Sequence, residues 1–269
     1  MTILIGAIIG LVLGLTGAGG SVLAVPLLVV FLHLSAAQAT GLALGVVAAS
    51  SLFGALGRII ERQVLWIPVL LFGASGVVFA PVGRLLSNLV SQQTLTLSFV
   101  ILSVIIALRM AWQSWHQREQ AVIVRAHPAA GEAEPLLCRF SESQHFDWRF
   151  RCMAGLTVGG VLTGLLSGFF GVGGGFLIVP FLNQLNSVSM RQAVSTSLVI
   201  IAGISLSGFA TELLTADVDL SAVTLLALGG IVGMIGGTLL AKHVAGVVLQ
   251  RIFAATIIGM AALLLTRGF

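Results

Sequence analysis

Residues 14–26 read GLTGAGGSVLAVP, and residues 168–180 read GFFGVGGGFLIVP. Both stretches belong to a longer alignment, in which residues 6–54 match residues 160–208 without a gap at a constant offset of 154, with 19 identities in 49 positions. A proline and a Ser-x-x-Gln-Ala sequence keep their register in both copies, which a composition rich in Gly, Leu and Ala does not explain. The chain therefore contains an internal duplication. In an apolar chain this is typical of a transporter built from two repeats, with its site where they meet.

The composition places the chain in a membrane. Hydrophobic residues make up 58% of the sequence, charged residues only 8%, and the mean hydropathy is +1.12. A soluble domain carries roughly 25% charged residues, so a surface this poor in charge would not be stable in water. The net charge of +4 comes from basic residues at helix ends and in one loop. We interpret it as a topology signal, and nucleic acid is not an expected partner.

The apolar segments follow the duplication. A helix needs about 20 apolar residues to cross the hydrocarbon core. Four segments precede the polar stretch 113–150 and four follow it. The sequence predicts an all-α polytopic membrane protein with about eight transmembrane helices in two homologous four-segment repeats, residues 1–112 and 151–269, joined by a cytoplasmic linker loop, residues 113–150. The segments are 3–33, 37–57, 64–86, 94–112, 152–186, 192–213, 220–241 and 247–266.

The first segment of each repeat is too long for one span and contains a run of glycines. Each glycine weakens a helix by about 1 kcal/mol relative to alanine. We therefore predict that each first segment is broken at its Gly-rich turn into two half-helices. Irregular backbone at membrane depth survives only where protein or a water-filled cavity satisfies its polar groups, so both breaks are expected in the protein interior.

The basic residues suggest an orientation. Eight crossings put nine arginines on one side, against Arg84, Arg191, Lys242 and Arg251 on the other. The positive-inside rule then makes both termini and the linker cytoplasmic. An acidic loop on the same side opposes this orientation, although acidic residues count little in the rule. Two crossings by each first segment would instead invert the repeats, and the sequence leaves both arrangements open. The acidic loop consists of Glu212, Asp217 and Asp219.

The two glycine boxes carry a family likeness. Gly14 to Pro26 and Gly168 to Pro180, together with Ala193-Val-Ser-Thr-Ser-Leu198, resemble the TauE/SafE sulfite-exporter family, also called the TSUP permeases. The likeness covers both halves of the chain outside residues 113–150. It implies a permease of the bacterial cell (inner) membrane that moves a small sulfur-containing anion such as sulfite, a sulfonate or sulfoacetate. It does not imply which anion or which direction.

A small oxyanion in a bilayer needs fixed dipoles in place of its water. Helix N-termini supply free backbone N–H groups and about half a positive charge, and a glycine break creates such a terminus without side chains in the way. Hydroxyl and amide donors near the breaks complete the predicted substrate-binding set. Its members are Thr16, Gly17, Gly19, Gly20, Ser21, Gly171, Gly173, Gly174, Gly175, Gln38, Gln192, Ser195, Thr196 and Ser197.

Two structural interpretations stand beside this one. Glycines at i, i+4 and i+8 are the ordinary device for close helix contact in lipid. We therefore assign Gly6, Gly10 and Gly14, and their counterparts Gly160, Gly164 and Gly168, to helix packing. Intramembrane Ser and Thr often bond only their own helix backbone, which leaves the role of the hydroxyls open.

The acidic residues bear on coupling. All nine Asp and Glu lie at predicted helix ends or in loops. We expect no mid-membrane carboxylate that would neutralise a cation or relay a proton, so potential-driven or facilitated flux is open. No cofactor is expected, and the irregular spacing of His116, His127 and His145 predicts no metal site.

Two other functions remain open. Residues 73–76 fit the G-x-S-G pattern of rhomboid proteases, with Ser75 and His243 as the candidate pair. The chain is otherwise predicted not to be an enzyme. Alternatively, the protein is a membrane subunit that works with a cytoplasmic sulfur-handling protein, for which Cys138 and Cys152 are the residues to test. A structural disulfide between them is not expected in a cytoplasmic loop. A homo-oligomer is a further open alternative, and the lipid bilayer is an expected partner.

Overall fold

The computed structural model describes residues 1–17, 20–116, 150–175, 178, 190–216, 218–241 and 259. All regular structure in these residues is helical. Five of the helices in the described part are long and apolar enough to cross a membrane. The helices are α1 Thr2–Thr16, α2 Ser21–Leu32, α3 Ala36–Ile60, α4 Trp66–Asn88, α5 Gln92–His116, α6 Phe150–Phe170, α7 Met190–Thr215 and α8 Leu220–Leu240.

The predicted break in the first segment is confirmed. Helix α1 ends at Thr16, and Gly17 follows it in the left-handed conformation with φ of 70°, its N–H donating to the Leu13 carbonyl at 2.7 Å. This is the usual glycine termination of a helix. Helix α6 ends in the same way, because Gly171 has φ of 69° and donates to the Ser167 carbonyl at 2.8 Å. Both glycines are therefore required by the backbone conformation.

Later helices begin at matching positions in the two halves. Helices α3 and α7 begin 154 residues apart, and so do α4 and α8. The central pair, α3 and α7, is antiparallel, since Gly41 lies against Glu212 and Gly45 against Phe209. Equivalent helices of the two halves therefore run in opposite directions.

The glycine ladders are packing ridges, as predicted. Methyl groups at Gly6, Gly10 and Gly14 would overlap backbone atoms of α8, at Leu226, Gly230 and Met234 respectively. In return, Gly229, Gly233 and Gly237 of α8 lie against the backbone of α1. Such close approach lets van der Waals contact hold helices together where lipid supplies no hydrophobic driving force.

The second ladder repeats this contact with other partners. Gly160 lies against the backbone of Phe72, Gly164 against Gly76, and Gly168 against Ala80. Helix α6 therefore packs in parallel against α4, as α1 packs in parallel against α8. The first helix of each half thus packs against the third segment of the other half.

The helix directions give the bundle two ends. One, the Ser35 end, holds the α2–α3, α4–α5 and α7–α8 junctions. Arg84, near the end of α4, shows this, because it bonds the Ala37 carbonyl at the start of α3 and contacts Glu212 at the end of α7. The other, the Gln63 end, holds the α3–α4 loop and the start of α7, which Leu65 and Thr196 join through a hydrogen bond. Helix α1 starts at the Ser35 end, α2 returns to it, and α6 starts at the Gln63 end.

This geometry corrects the eight-crossing assignment. Arg84 and Glu212 were predicted on opposite sides of the membrane, yet their side chains are in contact. The cause is the first segment of each half, which doubles back instead of crossing once. Met1 and Phe150 consequently lie at opposite ends of the bundle. The C-terminal residues after 241 lie outside the described residues, apart from helical Gly259.

Local sequence explains several helix ends. Ser35 and Gln38 form a capping box, in which the Ser35 hydroxyl accepts from the Gln38 N–H and the Gln38 side chain accepts from the Ser35 N–H. Asp219 caps α8, accepting from the Ser221 hydroxyl at 2.6 Å and from the N–H groups of Ser221 and Ala222. These bonds lower the pKa of the Asp219 carboxyl below 3.8, and the bond from the Ser221 hydroxyl has the largest effect.

Helix α4 contains a π-helical segment, Val69–Gly73, for which the sequence offers no signal. Its counterpart in α8 is ordinary α-helix.

The outer surface is apolar. Large hydrophobic side chains with more than half of their surface exposed occur on helices from both halves, which is the arrangement expected of helices that face lipid. They include Leu4, Leu70, Val78, Leu108, Val158, Leu162, Leu228 and Val232.

Candidate functional site

The first glycine turn, residues 17–20, is closed by Thr16. The Thr16 hydroxyl donates to the Val12 carbonyl at 2.8 Å and accepts from the Gly20 N–H at 3.0 Å. A methyl group at Gly20 would overlap the backbone of Leu13, so Gly20 lets the start of α2 pack against the end of α1. The predicted donors Thr16 and Gly20 are therefore both used in building the turn.

The same turn packs against the other half of the chain. A side chain at Gly17 would overlap Val194 at the start of α7. The Ser197 hydroxyl donates to the Val194 carbonyl at 2.8 Å and lies 3.4 Å from the Gly17 carbonyl. The structure thus brings Ser197 to the first glycine box, as the predicted site requires.

The neighbouring hydroxyls bind a loop instead. Thr196 accepts from the Leu65 N–H at 3.0 Å, and Ser195 lies 3.4 Å from the Gln63 side-chain oxygen. Both side chains are fully buried. In this conformation, Thr196 and Ser195 bind the α3–α4 loop to the start of α7 at the Gln63 end.

The second glycine turn, residues 171–174, mirrors the first in position. Gly171 lies against Thr40 of α3, and Thr40 stands 154 residues before Val194. Each turn therefore packs against the second segment of the opposite half, α3 or α7. The second turn is more unusual in its backbone, because Gly173 and Gly174 also have positive φ, 67° and 68°. Turns with this kind of backbone can direct successive N–H groups to one point and form anion-binding concavities.

Two buried hydroxyl groups lie at this second turn. A methyl group at Gly173 would lie 2.9 Å from Ser205 Oγ, and one at Gly174 would lie 3.3 Å from Ser167 Cβ. Both serines are completely buried. Among the residues that the structure describes, neither hydroxyl has a hydrogen-bond partner. A buried polar group without a partner carries a free-energy cost of about 1–3 kcal/mol, which a bound polar ligand would remove.

The sequence prediction included neither of these serines. Ser205 is the counterpart of Ser51 in the duplication, and Ser51 is satisfied by the Val47 carbonyl at 2.5 Å. The serine shared by positions 51 and 205 could therefore have marked Ser205 as a candidate. The sequence did not show that, of the two hydroxyls, only that of Ser205 lacks a hydrogen-bond partner among the described residues.

The remaining predicted site residues are spread more widely. Gln38 is exposed in the capping box, and Gln192 is half-buried at the start of α7. The repeated Ser-x-x-Gln sequence is thus the usual helix-start pattern in the first half. Ser21 is buried at the start of α2, and Gly175 is helical after the second turn. Gly19 lies outside the described residues.

A buried ion pair adjoins the second turn. Arg84 and Glu212 are 2% and 4% exposed, and the Arg84 Nε–H donates to the Glu212 carboxylate. The guanidinium also donates to Ser87 Oγ at 2.7 Å and to the Ala37 carbonyl at 3.2 Å. Glu212 lies against Gly41, the residue after the Thr40 that touches Gly171.

The sequence placed Glu212 in a loop with Asp217 and Asp219, which is wrong. It lies in the last turn of α7, inside a candidate span. Arg84 lies inside the candidate span Trp66–Asn88.

A small pocket is lined in part by Thr40. Its lining is almost entirely apolar, so it offers an anion few partners. It is lined by Val25, Val29, Ala36, Thr40, Leu95, Thr96, Phe99 and Phe170. The candidate polar site is therefore the glycine turn and not this pocket.

The alternatives gain no support from the described contacts. The Ser75 hydroxyl donates to the Leu71 and Phe72 carbonyls of its own helix, at 2.8 and 3.0 Å. Its proposed partner His243 lies outside the described residues. Cys152 is buried and disulfide-bonded, contrary to the sequence expectation, so it presents no free thiol to a partner. Cys138, His127 and His145 also lie outside the described part.

Apolar spans, glycine-mediated helix contacts and two interior glycine turns define a polytopic α-helical membrane protein. The model of the family described as "Sulfite exporter TauE/SafE" matches residues 2–264, and the chain belongs to this family. The resemblance seen in the glycine boxes is thereby confirmed.

Named relatives agree with this assignment. A "Probable membrane transporter protein" of Xylella fastidiosa (strain 9a5c) is 31% identical over 279 residues, covering 100% of this chain and 95% of the relative. The "Probable membrane transporter protein YunE" of Bacillus subtilis (strain 168) is 24% identical over 226 residues, covering 81% of this chain and 79% of the relative. No solved structure matches the chain.

Proposed function

We propose that the protein is an inner-membrane permease for a small sulfur-containing anion, such as sulfite, a sulfonate or sulfoacetate. Family membership and the names of the relatives support the transport class. The substrate follows from the family description together with the chemistry of the second glycine turn.

The proposed architecture is two inverted repeats with the site between them. Support comes from contacts that recur at the offset of 154, such as Gly10 on Gly230 and Gly164 on Gly76. Antiparallel packing of α3 on α7 gives the repeats opposite directions. Transporters of this kind bind substrate near the middle of the membrane, where broken helices point their N-termini at anionic groups.

One observation carries the substrate class. The hydroxyls of Ser167 and Ser205, which have no hydrogen-bond partner among the described residues, lie at a turn with three positive-φ glycines, Gly171, Gly173 and Gly174. Hydroxyl and backbone N–H groups are donors, which suit the oxygens of an oxyanion. Thr163 and Val47, which also line the turn, add no negative charge that would repel an anion.

The orientation follows from the corrected helix directions. Arg58 and Arg62 lie at the Gln63 end, where the linker, which contains four arginines, also begins and ends. The disulfide at Cys152 favours an oxidising compartment, but it is one bond against several arginines. By the positive-inside rule we infer that this end is cytoplasmic and that Met1 faces the opposite side.

The test is flux into proteoliposomes of purified protein. Labelled sulfite, thiosulfate, sulfate and methanesulfonate are supplied in turn, with chloride as the non-sulfur control. The proposal predicts saturable uptake of at least one sulfur anion, above that of protein-free liposomes. Absence of uptake of all four by protein shown to be folded and inserted would contradict it.

A further inference from the structure

We propose that Arg84 and Glu212 couple anion movement to a proton, with Arg84 as a second anion-binding residue and Glu212 as its internal counter-ion. This inference rests on the proposed function. It supplies the coupling carboxylate that the sequence did not reveal.

The position of the pair supports this role. Glu212 touches Gly41, whose neighbour Thr40 touches Gly171, and the backbone of Arg84 lies against Gly168 at the end of α6. The pair therefore lies beside residues that contact the second glycine turn and the end of α6, the helix that contains Ser167. Ionisable residues buried within membrane spans are costly to maintain and commonly mark substrate or proton pathways.

The duplication provides an internal control on a purely structural role. Thr238 occupies the position equivalent to Arg84, and Arg58 the position equivalent to Glu212. Gly14 packs against the Thr238 backbone as Gly168 packs against that of Arg84. Arg58 instead contacts Glu61 and Gln63. The same helix junction is thus built in the other half without a buried ion pair, so packing does not require one.

The chemistry of the pair defines the coupling step. In the structure, the Glu212 carboxylate neutralises the guanidinium of Arg84. A proton from water on the entry side converts Glu212 to the neutral carboxyl form, and the guanidinium is then free to bind an oxyanion through its paired N–H groups. On the exit side the anion leaves, Glu212 releases its proton to water, and the pair re-forms. One proton and one anion move together, and Arg84 stays charged throughout.

Few other groups bear on this titration. Among the described residues that pack against the pair, α4 supplies the Ser87 hydroxyl, and α3 supplies the Ala37 carbonyl and Gly41, none of which titrates. Asp219, in the α7–α8 junction, is exposed and occupied with capping α8. Among these described residues, Glu212 is therefore the carboxylate that the proposed step protonates.

The experiment measures accumulation of thiosulfate or methanesulfonate in proteoliposomes, with the membrane potential clamped at zero. Neither anion titrates near neutral pH, so the gradient acts on the protein alone. One-proton coupling predicts that a gradient of one pH unit supports about tenfold accumulation by the wild type. A wild type that moves the anion but only to equal concentrations overturns the coupling while leaving the proposed function intact. A wild type that moves no anion overturns both.

Variants separate coupling from folding. Glu212→Gln is expected to exchange anion across the membrane yet reduce the accumulation ratio to about one, because its side chain cannot carry the proton. The double variant Arg84→Gln/Glu212→Gln, neutral at both positions, is expected to unfold at a temperature similar to the wild type and to lose exchange as well. Wild-type accumulation by either folded variant would show that the pair is only structural and overturn the proposal.

Discussion

Gly10 of α1 and Gly230 of α8 lie so close that a methyl group on Gly10 would overlap the Gly230 carbonyl. Equivalent contacts between Gly164 and Gly76 occur in the other half. The two ladders therefore hold together helices that come from different halves of the sequence, and each half is incomplete without the other.

Substitution at this contact tests the packing. Gly10→Ala is expected to lower the unfolding temperature in detergent, because overpacking costs about 1–3 kcal/mol. Gly236→Ala is the matched control, since no atom of the described residues lies within 4 Å of its side-chain position. It is expected to be neutral or stabilising, because alanine is favoured over glycine in a helix by about 1 kcal/mol. Equal destabilisation by both substitutions would contradict the ladder contact.

The two ends of the bundle predict opposite accessibility. In a background without the natural cysteines, Glu61→Cys marks the Gln63 end and Ala216→Cys marks the Ser35 end, both at exposed positions. A membrane-impermeant maleimide applied to intact cells is expected to label position 216 and not position 61. Opening the cells should then expose position 61. Labelling of both positions, or of neither, in intact cells would contradict the account. Either the first segment does not double back, or the orientation is wrong.

The helix positions were largely predictable, because apolar length and glycine clusters act locally. The break after Thr16 followed from the run of glycines, and the packing role of Gly6, Gly10 and Gly14 followed from their spacing. The direction of the repeats did not follow, because it depends on whether the first segment doubles back, and both answers fit the same hydropathy.

The buried pair shows the other limit of sequence reasoning. Arg84 and Glu212 are 128 residues apart, and each sits near a helix end, where a charge is ordinarily solvated. Their burial depends on which helices become neighbours. One signal was present: the duplication places Arg58 opposite Glu212, so a basic residue in one repeat stands where an acidic one stands in the other.

The unpaired serines predict a local effect on transport. Ser167→Ala and Ser205→Ala should each raise the KM for the transported anion by about 5- to 10-fold, since a hydrogen bond is worth about 1 kcal/mol. They should not lower the unfolding temperature, because neither hydroxyl has a partner among the described residues. Ser50→Ala is the control, because Ser50 is equally buried and also has no partner in the described part of the chain, but lies against Gly230. A similar KM change in Ser50→Ala would contradict the proposal that the anion binds at the second glycine turn.

The cap of α8 predicts a pH effect on stability alone. The folded-state pKa of Asp219 lies below its usual 3.8, so its stabilising contribution is fully present above that value and is lost as the pH falls through the folded pKa. Asp219→Asn retains a capping side chain but does not titrate. The difference in unfolding temperature between wild type and Asp219→Asn should therefore shrink on acidification below pH 3.8. A difference that stays constant or grows would contradict the assigned cap.

The most direct test of the central claim is counterflow in proteoliposomes. Vesicles are loaded with an unlabelled sulfur anion, sulfite under anaerobic conditions or thiosulfate, and a trace of the labelled anion is added outside. A permease with a single alternating site predicts transient accumulation of label, driven by exit of the unlabelled anion and absent from chloride-loaded vesicles. Folded, inserted protein that produces no such accumulation with either anion would contradict the assignment of this chain as a sulfur-anion permease.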